Sequence, residues 1–195
     1  MKIIRLALAA LAALTLAACF PPTTISPVGS TTGHKLDPML VGLWRYVPTE
    51  PGNNGGYFHF LPRTDGTIDA VYVQAGPSPN PEWGVFKLTC GKVGANRFIN
   101  ARATSANGKA DDSSSPGSTP LLYRFDAKGQ LLLYLADEPA TKAAIKAGKI
   151  KGKVDPNSYG DATITADPKA LDQFMASAAG TALFIKPFLI LKKME

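Results

Sequence analysis

The chain has 195 residues, of which 45% are hydrophobic and 18% charged, and its formal net charge is +6 at pH 7. This length predicts one domain of ordinary size, and the apolar content argues against disorder throughout. The positive excess is modest and most lysines are interspersed with acids, which argues against nucleic acid as a partner.

The first residues have the organisation of an export signal. Lys2 and Arg5 precede a small and apolar stretch over residues 6–14, which Thr15 interrupts. The largely apolar run over residues 3–18 is shorter than the ~20 residues needed to cross a hydrocarbon core. The pattern therefore predicts a cleaved signal peptide and disfavours a permanent transmembrane helix.

A short motif closes this signal: Leu16, Ala17, Ala18 and Cys19. It resembles the lipobox of bacterial lipoproteins, in which a leucine and two small residues precede a cysteine. The resemblance implies a diacylglyceryl thioether on Cys19, removal of residues 1–18 and often N-acylation, with acyl groups such as palmitate. Two or three chains then hold the protein on a membrane, since each buried methylene contributes ~0.8 kcal/mol. The alternative is an ordinary signal peptide with an incidental cysteine.

The residue after Cys19 bears on the membrane that receives the protein. In enterobacterial lipoproteins an aspartate there retains the protein in the inner membrane, whereas this chain has Phe20. The resemblance thus implies an envelope protein anchored to the outer membrane, with the bilayer as its partner through Cys19.

A low-complexity segment follows the motif. Residues 20–35 are rich in Pro, Thr, Ser and Gly and have almost no large apolar side chains, which predicts a flexible tether that lifts the domain off the bilayer. The expected organisation is a signal peptide over 1–18, a lipidated Cys19 with its tether over 19–35, and one mainly β domain over 36–195. Because the tether offers no recognisable core residue, the domain is expected to fold without residues 1–35.

Strand patterns recur through the domain. Residues 57–61 and 67–74 flank a turn at Gly66, and residues 121–125 and 130–136 flank one at Gly129. Further strands are predicted at 83–90 and 97–104, with a loop over 105–119. A last strand is predicted within 183–191, where Pro187 indicates a bulge or an edge position. Short links between neighbours predict an antiparallel meander, either a barrel or a strongly curled sheet. An α+β arrangement is the alternative.

Two short helices are predicted in the later half. Asp137 precedes a proline two residues on, and Gly148 ends the apolar spacing that follows. Asp167 and Pro168 begin a second amphipathic segment that extends to Gly180. Both helices are short enough to lie across a sheet or to close one end of a barrel.

Gly42, Leu43 and Trp44 open the first strand of the domain. This Gly-x-Trp pattern resembles the first signature of the lipocalins, which are ligand-binding eight-stranded barrels and include outer-membrane lipoproteins. The chain departs from that family in the two helices before its last strand and in the absence of a late arginine from that strand. The resemblance implies a barrel with an apolar ligand site.

The candidate ligand-binding residues are aromatic or imidazole side chains in the strands: Trp44, Tyr57, His59 and Tyr72. Cys90 alternates with Phe86 and Leu88 and is predicted to be a buried core residue. With two histidines and one remaining thiol the chain lacks the ligands of a typical zinc site, and no catalytic motif or cofactor signature is present. The prediction is a non-catalytic module that binds an apolar small molecule, a lipid or an envelope protein. The alternative is a carboxylate-dependent hydrolase of envelope polymers.

Overall fold

Segments with a two-residue apolar period form most of the secondary structure. The computed structural model describes residues 21–48, 55–74, 82–111, 117–154 and 162–195, so the predicted signal peptide and the lipobox with Cys19 lie outside the described residues. The strands in chain order are β1 (Thr23–Thr24), β2 (Gly42–Tyr46), β3 (Gly56–Pro62), β4 (Ile68–Gln74), β5 (Trp83–Val93), β6 (Asn96–Ala106), β7 (Lys109–Ala110), β8 (Thr119–Phe125), β9 (Leu131–Leu135), β10 (Gly152–Val154), β11 (Ala162–Ile164) and β12 (Pro187–Lys193). The helices of the described chain are α1 (Glu138–Lys146), α2 (Pro168–Ala176) and α3 (Ala178–Thr181).

Eight strands close into an antiparallel barrel in the order β5, β4, β3, β2, β12, β9, β8, β6, and β6 pairs back onto β5. Each barrel strand pairs with its neighbours along the chain, except that the helices and a small sheet intervene between β9 and β12. The predicted fold, a mainly β antiparallel meander closed as a barrel, is confirmed. The predicted turns at Gly66 and Gly129 are also present, with φ of 79° and 74°.

The interior of the barrel is filled by large side chains that alternate inward along the strands. Six of them are at most 2% exposed: Trp44, Phe60, Ile68, Ile99, Leu131 and Leu191. Cys90 belongs to the same cluster at 3% exposure, as its alternation predicted. An eight-stranded barrel has just enough interior volume for such side chains or for one small ligand.

The two ends of the barrel differ. At one end residues 36–41 cross the opening, and Leu40 is fully buried there while its carbonyl accepts a hydrogen bond from Trp44 Nε1 at 2.7 Å. Asp37 in the same segment accepts a hydrogen bond from the Tyr123 hydroxyl at 2.8 Å and pairs with Arg97 at 3.2 Å. We call this the plugged end. The opposite end, where β2 and β4 finish and β3 and β5 begin, is the mouth.

A second layer covers one outer wall of the barrel. The helices and the small sheet β1–β11–β10 pack on β5, β6, β8 and β9 and form a separate core, the outer core. Phe98 of β6 meets Phe184 at 5.6 Å between ring centroids, in an edge-to-face contact. Asp137 and Asp167 cap α1 and α2, as predicted. The second helix breaks at Ser177, which caps the additional helix α3.

Two details of the predicted strands are corrected. The loop expected over 105–119 begins later, because β6 continues to Ala106 and a tight turn with Asn107 at φ 50° leads into β7. Residues 112–116 of that loop lie outside the described residues. The last strand begins only at Pro187, where a register shift against β9 agrees with the expected bulge. Leu183 and Phe184 belong instead to the outer core.

The predicted flexible tether is wrong for residues 21–33, which we call the arm. The arm lies against the covered wall, where β1 pairs in parallel with β11 and Val28 is fully buried in the outer core. Gly29 packs so closely on Gly91 of β5 that a Cβ on it would come within 2.7 Å of the Gly91 Cα. The arm therefore contributes core contacts, and the expectation that the domain folds without residues 1–35 loses its basis.

Candidate site at the barrel mouth

Aromatic side chains gather on the inner face at the mouth. Tyr46 ends β2, and Phe58, Tyr72 and Phe86 face inward from β3, β4 and β5. All four are partly exposed, and Tyr46, Phe58 and Phe86 pack on the buried core beneath them. The Phe58 and Tyr72 rings lie 4.8 Å apart, which is a favourable distance for a tilted aromatic pair.

Glycines make room for these rings. Gly56 occupies an inward position of β3 opposite Gln74, and a Cβ there would meet the Tyr72 ring at 2.5 Å. Gly84 pairs with Tyr72 from the other side, and a Cβ on it would lie 3.6 Å from the Phe86 ring. The inner wall at the mouth thus carries aromatic rings and backbone above the packed interior, and we call the group of Tyr46, Phe58, Tyr72 and Phe86 the aromatic cup.

The cup has a few polar groups at its rim. Burial raises the pKa of the Tyr72 phenol, and the charges of Glu82 and Tyr46 add to this effect. The hydroxyl therefore stays protonated at neutral pH and remains a hydrogen-bond donor. Such a wall, mainly aromatic with a few polar groups, has the chemistry of a site for an apolar ligand with a small polar head.

The structure separates the four predicted ligand residues. Tyr72 lies in the cup, whereas Trp44 is 1% exposed near the plugged end. Tyr57 and His59 alternate out of the barrel and lie exposed on its outer wall. Sequence reasoning missed Tyr46, Phe58 and Phe86; the pairing of Phe58 with Trp44 across β2 and β3 is the feature that puts Phe58 on the inner face.

Trp44 has a structural environment. Its ring meets Phe125 at 6.2 Å, and Lys193 Nζ of the last strand lies 5.3 Å from the ring centroid. Lys193 also donates to the Met39 carbonyl of the plug at 3.4 Å. A lysine from the last strand therefore covers the tryptophan that opens the first barrel strand, and this contact ties β12 to β2 beside the plug.

The described carboxylates form no acid/base pair at the mouth. Asp65 and Asp69 lie outside the barrel, in ion pairs with Lys87 at 3.2 Å and Arg63 at 2.9 Å. The Asp172 carboxylate accepts hydrogen bonds from the arm, with Gly29 N at 2.7 Å and Thr31 N at 3.1 Å. These contacts give the acids structural roles.

Other candidate sites are weaker. Within the described ranges no three His, Cys, Asp or Glu side chains come together as metal ligands. None of the described helices is long and apolar enough to cross a membrane. An open depression of about 420 Å³ lies between the end of α1 and α2, and another of about 360 Å³ lies beside the plug. Lys149 and Lys151 line the first of these.

Comparison with family models, curated proteins and solved structures finds no match to this chain.

Proposed function

We propose that this chain is a bacterial envelope lipoprotein, anchored through Cys19, whose barrel binds an apolar small molecule or the acyl part of a lipid at its mouth without catalysing a reaction. The observation that carries the binding role is the cup of Tyr46, Phe58, Tyr72 and Phe86, which keeps aromatic surface partly exposed above an otherwise filled barrel. Leu16–Ala17–Ala18–Cys19 supports the anchor, and Phe20 supports delivery to the outer membrane.

The packed interior limits what the cup can accept. Below it, Phe60, Ile68 and Leu191 fill the axis of the barrel, so a bulky ligand has no space to descend. A single acyl chain or a small ring fits this constraint, because it can insert only a few carbons while the rest stays at the rim. Three features support the lipocalin-like interpretation. The barrel has eight strands, its first strand opens with Gly42–Leu43–Trp44, and Lys193 lies over the Trp44 ring.

A binding experiment with a paired substitution tests the cup. Laurate, titrated below its micelle concentration, should shift amide resonances of β3 to β5 at the mouth in a two-dimensional NMR spectrum. Phe86→Ala should weaken this binding about tenfold, since truncating a buried aromatic contact costs ~1–2 kcal/mol. Val85→Ala is the matched control because Val85 is the outward neighbour on the same strand. Equal binding by both variants would place the ligand elsewhere.

Mass spectrometry tests the anchor and the natural ligand together. The mature N-terminal peptide from the native host should begin with a diacylglyceryl-modified Cys19. Gentle purification should retain a small apolar molecule or lipid on the domain. A mature chain that begins at another residue would remove the anchor from the proposal, and an empty domain would count against the binding role.

A further inference from the structure

The path of the arm fixes where the anchor leaves the domain. Thr24 exchanges backbone hydrogen bonds with Ser118, which directly precedes β8 at the mouth end of that strand, each at 2.9 Å. Further along, Thr32 Oγ1 donates to the Lys92 carbonyl near the plugged end of β5. Between these two contacts the arm therefore runs along the covered wall from the mouth end, at Thr24, toward the plug, and only three described residues precede Thr24.

This path leaves very little free chain before the anchor. Cys19 is five residues before Thr24, and five extended residues span at most ~17 Å. Pro22 is already buried, and the arm beyond it is held by Asn100 and Asp172. A lipid on Cys19 would therefore hold the mouth end of the barrel within ~17 Å of the bilayer surface.

Apolar side chains are exposed at this end. Tyr57, Val73 and Trp83 pair across β3, β4 and β5 in one outward row beside the mouth, and they are 37%, 42% and 40% exposed. Ile185, two residues before β12 and next to the mouth, is 69% exposed. Aromatic side chains with a polar group are well suited to the boundary between lipid and water.

Exposed apolar area alone does not select the end of the barrel. Met39 of the plug is 51% exposed and Leu61 at the far end of β3 is 38% exposed. The charges do not select it either, since Arg45 and Lys186 at the mouth are accompanied by Glu82. The position of the arm selects the end, and the apolar row gives that end a surface that a bilayer can cover.

We propose that the mouth end of the barrel lies on the phospholipid bilayer that holds Cys19, with Trp83 and Ile185 in the interface and the aromatic cup opening toward the lipid. This inference rests on the proposed lipidation of Cys19. It implies that the cup takes its ligand, an acyl chain, from the membrane itself. Because charges of both signs surround the mouth, a zwitterionic bilayer suffices as the partner.

Depth-dependent quenching tests this orientation on the full lipidated protein. The protein from its host is reconstituted at low density in phosphatidylcholine vesicles whose acyl chains carry bromine, which quenches only nearby tryptophan. The chain has two tryptophans, Trp44 and Trp83, so the emission lost in Trp83→Phe belongs to Trp83. Met39→Trp on the Trp83→Phe background is the matched probe at the plugged end. The mass of the Cys19 peptide is measured on the same sample.

If Cys19 is acylated, we expect the brominated lipid to quench most of the Trp83 emission. The emission of the tryptophan at position 39 should be retained. Both results should hold at high salt as well. The reverse pattern would overturn the orientation while leaving the anchor intact. If neither tryptophan is quenched, the orientation is also overturned. Cross-linking between copies of the protein would then show whether a second chain covers the row of Tyr57, Val73 and Trp83. An unmodified Cys19 would refute the anchor, and the orientation would fall with it.

Discussion

Replacing Asn100 by alanine should detach the arm from the barrel. Asn100 is 2% exposed on the outer face of β6; its Oδ1 accepts from Val28 N at 2.7 Å and its Nδ2 donates to Val28 O at 3.0 Å. The same Nδ2 lies 3.3 Å from the Thr89 carbonyl, to which it also donates. The side chain thus pairs with the arm as a neighbouring strand would.

The magnitude follows from these bonds. Three hydrogen bonds at ~0.5–1.5 kcal/mol each contribute ~1.5–4.5 kcal/mol, and the backbone N–H and C=O of Val28 would lose their partners in a buried place. We expect Asn100→Ala to lower the free energy of unfolding by ~2–4 kcal/mol. For a domain of this size the Tm should fall by ~5–15 °C.

Urea unfolding followed by tryptophan emission measures the loss, and hydrogen exchange at the Val28 and Gly29 amides shows whether the arm opens locally. Asn96→Ala is the matched control, since Asn96 lies on the same strand with one side-chain bond, from Nδ2 to Thr181 Oγ1 at 3.3 Å. It should cost no more than ~1 kcal/mol. Equal losses in the two variants, or unchanged exchange at Val28, would refute the docked arm.

Three further predictions concern titratable groups. Burial raises the pKa of the Cys90 thiol, which keeps it protonated and out of reach in the folded protein. An aromatic disulfide reagent at mildly alkaline pH should therefore modify Cys90 only after urea has unfolded the protein. Rapid reaction of the native protein would contradict its burial. Burial and the hydrogen bond to Asp37 raise the pKa of Tyr123, so the unfolded state loses the phenol proton at a lower pH than the folded state. The free energy of unfolding should therefore fall as the pH rises above ~10. In unfolding curves followed by circular dichroism, Tyr123→Phe should make this fall smaller. Hydrogen bonds from Thr67 hold the pKa of Asp65 at about 2, so Thr67→Ala should move its NMR titration upward, and an unchanged midpoint would assign the shift to another cause.

The architecture was predictable where one local pattern decides the structure. Strands with a two-residue apolar period and glycine turns, such as the one at Gly66, identified the meander. An aspartate followed by proline identified both longer helices, because the carboxylate and the fixed proline φ favour a helix start whatever lies around it. Closure into a barrel depends on the pairing of β5 with β6 and of β12 with β2, and only the second of these joins segments distant along the chain.

The arm was not predictable, because it docks through its backbone. It buries two apolar side chains, Pro22 and Val28, and is otherwise held by backbone pairing with β11 and Ser118, by a side-chain amide on β6 and by a carboxylate on α2. None of these contacts leaves a periodic pattern in the Pro, Thr, Ser and Gly composition of the segment. Glycines such as Gly29 and Gly91 also suggest flexibility when only the sequence is known. In the structure, the absence of their side chains lets the arm pack closely on β5.

The candidate site was only partly predictable because β3 carries aromatic or apolar residues on both faces. Tyr57 and Leu61 point outward while Phe58 and Phe60 point inward, so alternation identifies two faces without saying which is inside. The register against β2 decides the matter: Phe58 lies opposite Trp44, which is buried. That register is a property of the folded barrel.

A docked arm changes the energetics of the proposed membrane contact. A flexible tether of 17 residues would let the domain move ~20–25 Å from its anchor, and weak contacts with the bilayer would then have to offset the loss of that freedom. An arm fixed by Asn100 and Asp172 has already given up this freedom on folding, which raises the effective concentration of lipid at the mouth. Single exposed side chains such as Trp83 and Ile185 then suffice to set the orientation. Their replacement by serine should consequently change the tilt of the domain without releasing it, because the proposed acyl chains on Cys19 would by themselves hold it on the membrane.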